Sequence, residues 1–131
     1  MSELDVPNRA APFKREKQIW VVGNIPEMKI PAGKTITSYT RPKPQRQQGR
    51  KRVLVSLYKQ SKRIIDYSWE PRLYSRCDDE SREYFSSENF SKKHDLGDVI
   101  AFNFFHTLWN PNVTYPEDDP EDYEHLCEGT D

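Results

Sequence analysis

The sequence predicts a mainly β fold, a small antiparallel barrel or sandwich of about five strands and one short helix with disordered N- and C-terminal tails. Short runs of β-branched and aromatic residues alternate with Gly, Pro and polar turn residues, which is the pattern of consecutive strands. Six Phe, seven Tyr and three Trp, 12% of the 131 residues, supply the apolar area for a small core. Ten prolines and 31% charged residues imply that part of the chain stays outside that core.

The chain is long enough for one domain but too short for two. Residues 1–17 combine mixed charges with no apolar period and are predicted to be a disordered tail. Residues 18–115 are predicted to form a single β-rich domain that carries a basic, proline-containing loop at 41–52. Residues 116–131, with eight acids from Glu117 onward, are predicted to be an acidic disordered tail.

Four runs carry the strand predictions in the first half of the domain. Residues 18–25 end in a Gly-Asn and Pro turn, and residues 34–40 follow a Pro-Ala-Gly turn, so both are predicted strands. Residues 53–58 and 63–69 are β-rich and are separated by four polar residues. This spacing predicts a β-hairpin.

The second half contains the predicted helix and the longest apolar run. The early acids of residues 78–90 are compatible with one or two helical turns capped by Asp78 or Asp79. Residues 98–109 are aromatic and β-branched and carry apolar side chains on both faces. We therefore predict that this run is the central strand of the sheet, and that replacing Phe102 or Phe104 by Ala costs about 3–5 kcal/mol.

Charge is segregated along the chain. Residues 1–76 hold 17 Lys/Arg and 6 Asp/Glu, a net of +11, whereas residues 77–131 hold 3 and 15, a net of −12. Two opposite fields within a nearly neutral chain indicate charged partners, or one half that folds against the other. Both interpretations concern binding rather than a reaction.

A basic and aromatic surface is the candidate binding site. Residues 41–63 contain nine cations and no acid, and tyrosine and tryptophan side chains lie beside them. Cations that neutralise phosphates and rings that stack on unpaired bases are typical of single-stranded nucleic-acid binding. The predicted RNA or single-stranded nucleic-acid site comprises Arg41, Lys43, Arg46, Arg50, Lys51, Arg52, Lys59, Lys62, Arg63, Tyr58, Tyr67 and Trp69.

The sequence contains no catalytic or metal-binding motif, so neither an enzyme, a cofactor nor a metal is predicted. His106 lies in the aromatic run and is interpreted as a packed histidine. His94 and His125, together with Cys77 and Cys127, have no spacing of a zinc framework.

The predicted function is thus a non-enzymatic RNA-binding subunit of a larger complex. The alternative is a protein-interaction scaffold whose basic loop and acidic tail dock on partner proteins. No apolar run is long enough to cross a bilayer, and no secretory signal is recognised, so a nuclear or cytoplasmic location without membrane partners is predicted.

Overall fold

The computed structural model describes residues 1–74 and 79–113, and it confirms a mainly β protein with two antiparallel sheets and one short α-helix. The strands and the helix are β1 (Ser2–Glu3), β2 (Lys17–Gln18), β3 (Val21–Gly23), β4 (Lys34–Thr37), β5 (Lys51–Tyr58), α1 (Ser87–Lys93) and β6 (Val99–Thr107). Single 3₁₀ turns span Ile30–Ala32 and Glu80–Arg82. In this part of the chain no helix is long and apolar enough to cross a membrane.

The larger sheet has the strand order β2-β1-β5-β6. Its two long members are rich in β-branched or aromatic residues, with two Val and one Tyr in β5 and Val, Ile and three Phe in β6, and the shapes of these side chains suit a pleated surface. They pair antiparallel from Lys51 opposite Thr107 to Tyr58 opposite Val99. The short β1 and β2 continue the sheet beyond β5.

The smaller sheet pairs β3 with β4, and the buried side chains between the sheets form the core. Ile19 and Val53 are fully buried, and Ile36, Tyr67 and Leu73 are only 4–6% exposed. Arg82 crosses this region, where its guanidinium donates to the carbonyl oxygens of Gln18, Ser38 and Leu73 at 3.5, 2.9 and 3.2 Å. A single buried cation therefore ties both sheets to the segment around Leu73.

Helix α1 begins later than the acids of the predicted segment suggested. Ser86 is its N-cap, since its Oγ accepts the backbone N–H of Asn89 at 3.1 Å. Glu88 lies in the first turn, and Lys92 and Lys93 lie in the last turn, which suits the helix dipole. Asp79, in contrast, precedes only the 3₁₀ turn and gives no side-chain cap.

The predicted hairpin is wrong, because β5 pairs with β6 and residues 63–69 form no strand. Asn24 explains why this segment leaves the sheet. Its side chain accepts the Ile65 N–H and donates to the Ile65 carbonyl, both at 2.8 Å, so it occupies backbone groups that a ladder needs.

Two further expectations differ from the structure. The first seventeen residues, predicted as a tail, contribute strand β1, the first residue of β2 and the buried side chains of Glu3 and Asp5. Strand β6, predicted as central, is an edge of the larger sheet, and Phe102 and Phe104 are 67% and 55% exposed. A loss of about 3–5 kcal/mol on truncating either ring is therefore not expected from this structure. The predicted acidic tail lies outside the described residues.

Gly23 is required by close packing against Tyr67. A Cβ atom at position 23 would lie 2.4 Å from Cε2 of the buried ring. We expect Gly23→Ala to lower the free energy of unfolding by about 1–3 kcal/mol, because the ring or the strand must move. Thermal denaturation measures the effect, with the exposed-loop change Ser61→Ala as the control; equal midpoints for the two variants would contradict the packing.

Candidate functional site

A cluster of buried charges lies where β1, β2 and β5 meet. Lys51 is 5% exposed and its Nζ lies 3.4 Å from Oε1 of Glu3, which is itself buried. Lys17 Nζ lies 2.8 Å from Oδ1 of Asp79, and Lys43 Nζ reaches the same oxygen at 4.0 Å. Opposite charges thus alternate from the buried Lys51–Glu3 pair to Asp79, whose side chain is 35% exposed.

Asp5 is the best-satisfied member of this region. Its fully buried carboxylate accepts the backbone N–H of Arg52 at 2.8 Å and the Nε and Nη2 groups of Arg52 at 3.0 and 2.9 Å. Nη2 of Arg15 adds a fourth bond at 3.2 Å. A two-pronged contact of this kind fixes the orientation of the arginine fork.

The two acids respond to burial in opposite ways. Burial raises the pKa of Glu3, and the positive charges of Lys51 and Lys17 only partly offset that rise. Burial also acts to raise the pKa of Asp5, but the hydrogen bonds and charge of Arg52 outweigh it and bring this pKa below its ordinary value. Asp5 is therefore the acid whose ionised form the fold stabilises.

The predicted nucleic-acid residues do not form one exposed surface. Lys51 and Arg52 are engaged by Glu3 and Asp5, and Arg46 stacks over the Trp109 ring at 4.6 Å. Arg41, Lys43 and Tyr58 are half-buried, Tyr67 is buried, and Arg50, Lys59, Lys62, Arg63 and Trp69 are exposed. Several cations of this most basic segment therefore make contacts within the chain.

A broad groove of about 1760 Å³ runs beside the exposed half of these residues. Strand β3, the loop after it and β5 form most of its wall, and the segment at residues 59–64 forms part of its rim. Phe85, Phe90, Leu96 and Ile100 complete the apolar lining. Its charged lining residues are five cations and one acid, namely Lys29, Lys34, Lys59, Lys62, Arg63 and Glu27.

A polar network holds one side of the groove in place. Oε1 of Gln60 accepts the Asn24 N–H and the Tyr67 hydroxyl, both at 2.8 Å, and Nε2 of Gln60 donates to Oδ1 of Asn24 at 2.9 Å. Asn24 also has a positive φ of 53°, which a turn residue of this type tolerates. The network joins the end of β3 to the 59–65 loop and so fixes the position of the basic rim.

His94 belongs to a packed cluster behind the groove. Its ring lies 4.8 Å from Tyr67 and 4.6 Å from Phe90, and its Nε2 lies 2.7 Å from Oε1 of Glu70. Lys93 Nζ reaches the same oxygen at 2.7 Å. Burial alone would raise the pKa of Glu70, but the bonds from Lys93 and His94 lower it overall. These contacts give His94 a structural role.

Sequence reasoning missed the acids that organise the charged cluster. Glu3 and Asp5 are the first acids of a strongly basic half and are spaced by two, which places both on one face of an extended segment. That spacing was the available signal. The groove had no comparable signal, because residues 24–34 and 59–64 meet only in the folded chain.

Comparison with known proteins gives relatives that are about twice as long as the matched region. The chain is 32% identical over 109 residues to putative odorant-binding protein A5 of Drosophila melanogaster. This match covers 83% of the chain and 50% of that protein. It is 32% identical to TERMINAL FLOWER 1 of Arabidopsis thaliana and 33% identical to SELF-PRUNING of Solanum lycopersicum, each over 106 residues, 80% of this chain and 54% of the relative. No protein-family model matches the chain. The chain thus spans about half the length of the curated relatives it matches.

These similarities overturn the predicted function. The relatives are PEBP-type proteins, one of them named for odorant binding, and they do not point to RNA or to another nucleic acid. The prediction of an RNA-binding subunit of a larger complex is therefore wrong. Its scaffold alternative depended on the same segregated charges, several of which the fold pairs internally, and is not retained.

Proposed function

We propose that this chain is a non-enzymatic, PEBP-type binding protein whose groove takes a small amphiphilic molecule with an apolar body and an anionic group. The observation that carries the proposal is the composition of the groove, which has apolar walls and five cations against one acid among its lining residues. A pocket with apolar walls and a few convergent polar groups is the usual form of a small-molecule site.

The apolar walls supply the contact for the body of the ligand. Leu54 and Leu57 on β5 line the groove together with Phe85 and Ile100. The groove is larger than the roughly 300–1,000 Å³ of a typical ligand pocket, so it has room for an elongated molecule. Burial of an alkyl chain contributes about 0.8 kcal/mol per CH₂ group.

The rim supplies the charge that selects an anion. Lys62 and Arg63 are exposed on the loop that the Asn24–Gln60 network holds against β3. Lys59 and Lys34 add positive potential along the same groove. Clefts that concentrate one sign of charge raise the local concentration of the opposite ion.

The name of the Drosophila relative is consistent with this class of ligand, since it refers to the binding of an odorant. The names of the plant relatives specify no ligand. A nuclear or cytoplasmic location stays a prediction, which imaging of a tagged full chain would check.

Fluorescence titration with a dansyl-labelled medium-chain fatty acid and the matching alcohol tests the proposal. We expect both probes to bind and the carboxylate to bind more tightly. The double change Lys62→Ser and Arg63→Ser should weaken carboxylate binding by about three- to tenfold and leave the alcohol unchanged, because exposed charges each contribute less than about 1 kcal/mol. Added salt should reduce the same difference.

The matched control removes two exposed cations away from the groove, Arg9→Ser and Arg72→Ser, and gives the same net charge. It should bind both probes like the wild type. Failure of both probes to bind, or equal losses in the two double variants, would refute the proposed site.

A further inference from the structure

Strand β6 is an unusual edge for a sheet. It spans the nine residues Val99–Thr107 and carries no Lys, Arg, Asp, Glu or Pro. Edge strands of stable monomers are normally kept short or protected by charges, prolines or bulges, because their free N–H and C=O groups recruit another strand. Among the described residues, β6 pairs only with β5, so its outer side is open.

The side chains of this edge are also open to solvent on both faces. Phe102, Phe104 and Phe105 are 67%, 55% and 42% exposed, and Ile100 and Leu108 are 62% and 53% exposed. With an aromatic side chain presenting roughly 150–250 Å², the apolar groups along the strand expose roughly 500–600 Å². An apolar patch of several hundred Å² on a soluble domain marks an interaction surface.

We propose that β6 is the interface between two copies of this chain, which pair antiparallel through this strand. The two-fold axis passes through Asn103. This register places Phe102 opposite Phe104 of the second copy, and Ala101 opposite Phe105, so that large rings meet each other or a small residue. The two Asn103 amides meet at the axis, where each offers a donor and an acceptor to the other.

The sheet topology limits this association to two copies. The opposite edge of the larger sheet is β2, which has only two residues, Lys17–Gln18, of which the first is buried. No long second edge of that sheet is open, so β6 of one copy finds its match in β6 of another and the pairing ends at two. Pairing at the edge covers main-chain atoms and only the sides of the apolar groups that face the second copy, so the interface is smaller than about 1,200 Å² and its size is that of a weak, concentration-dependent dimer.

One hydrogen bond within the strand opposes the pairing and must be exchanged. The Phe104 N–H donates to Oδ1 of its neighbour Asn103 at 2.8 Å. In the paired sheet a carbonyl of the second copy takes its place. The interface does not depend on the ligand proposed for the groove, because its central residues, Phe102 to Phe104, do not line that groove.

Sedimentation equilibrium of the full chain, with charged variants of β6, tests the interface and its register. We expect a dimer for the wild type. Phe102→Lys combined with Phe104→Lys places like charges opposite each other twice and should weaken the dimer at least about tenfold. Phe102→Lys combined with Phe104→Glu places opposite charges at the same two pairs and should recover much of the lost affinity.

The control is Ile64→Lys combined with Trp69→Lys, which adds two charges at exposed apolar positions away from β6 and should leave the dimer intact. Circular dichroism of each variant separates loss of pairing from loss of fold. Hydrogen exchange of the wild type adds a measurement without mutation, in which the β6 amides should become protected as concentration rises.

A wild-type monomer at about 100 μM with unprotected β6 amides would overturn the proposal, since a micromolar interface is saturated there. A polypeptide equivalent to the unmatched half of the longer relatives would then be the occupant of the edge. A dimer that survives the two-lysine variant would overturn it equally, by placing the contact elsewhere.

Discussion

Replacing Asp5 by Ala is expected to lower the free energy of unfolding by about 2–4 kcal/mol. The change removes four hydrogen bonds from a fully buried carboxylate, three of them from Arg52 and one from Arg15. Loss of one partner of a buried ion pair costs about 3–5 kcal/mol. We expect a smaller loss than that range, because the side chains of Arg15 and Arg52 are already 41% and 31% exposed. Water can therefore hydrate both guanidinium groups once the carboxylate is removed.

Chemical denaturation at neutral pH measures this loss, and Asp66→Ala is the matched control. Asp66 is an exposed acid whose carboxylate accepts local bonds from Ser68, one from its backbone N–H at 2.9 Å and one from its side chain, so its removal should change stability by less than about 0.5 kcal/mol. Similar effects of the two changes would show that the Asp5 contacts do not form in solution.

The contribution of Asp5 should also depend on pH. Its pKa in the folded protein is lowered, so the ionised form stabilises the fold above the unfolded pKa of about 3.9, and this stabilisation is lost as pH falls through the folded value. Glu3 has the opposite sign, since its pKa is raised. The difference between wild type and Asp5→Asn isolates Asp5, and it should be constant near pH 7 and shrink below about pH 4.

The sequence was informative wherever a local signal set the structure. The β-branched runs at 34–37 and 51–58 are strands, and the composition correctly predicted a mainly β fold with one short helix. Strand β6 also forms where the aromatic run predicted it, but its position in the sheet was wrong. Apolar residues on both faces of a strand indicate that both faces need to be buried. They do not indicate whether this chain contains the elements that would bury them.

The site was less predictable because it depends on pairs that are distant in sequence. Counting charges assigned Lys51 and Arg52 to a partner, whereas the fold gives them Glu3 and Asp5, about 47 residues away. Likewise, the sequence was equally consistent with stacking of Tyr67 on a base and with its burial in the core. In the structure the ring is buried against Gly23, where the absence of a Cβ atom leaves room for it. A charge sum cannot distinguish a solvated cation from one already paired.

Replacing Arg82 by Leu should lower the free energy of unfolding by about 3 kcal/mol or more. Arg82 is 1% exposed, and its guanidinium donates to Ser38, Leu73 and Gln18 carbonyl oxygens that lie on separate segments. Leucine fills part of the volume but donates nothing, so buried acceptors lose bonds to a charged donor worth about 1.5–3 kcal/mol each. Arg82→Lys should recover only part of the loss, because one ammonium cannot span three carbonyls as a planar fork does.

The effect should be greatest where the two sheets are joined. Gln18 belongs to β2 of the larger sheet, while Ser38 follows β4 and donates its N–H to the Leu73 carbonyl at 2.9 Å, so the arginine bridges both sheets. Hydrogen exchange should therefore accelerate in β3 and β4 more than in the β5–β6 ladder, which does not use this side chain. Arg72→Leu, an exposed arginine next to the same bridge, is the control and should leave both regions unchanged. Uniform acceleration across both sheets would instead identify Arg82 as part of one cooperative core, with no separate role in holding the smaller sheet in place.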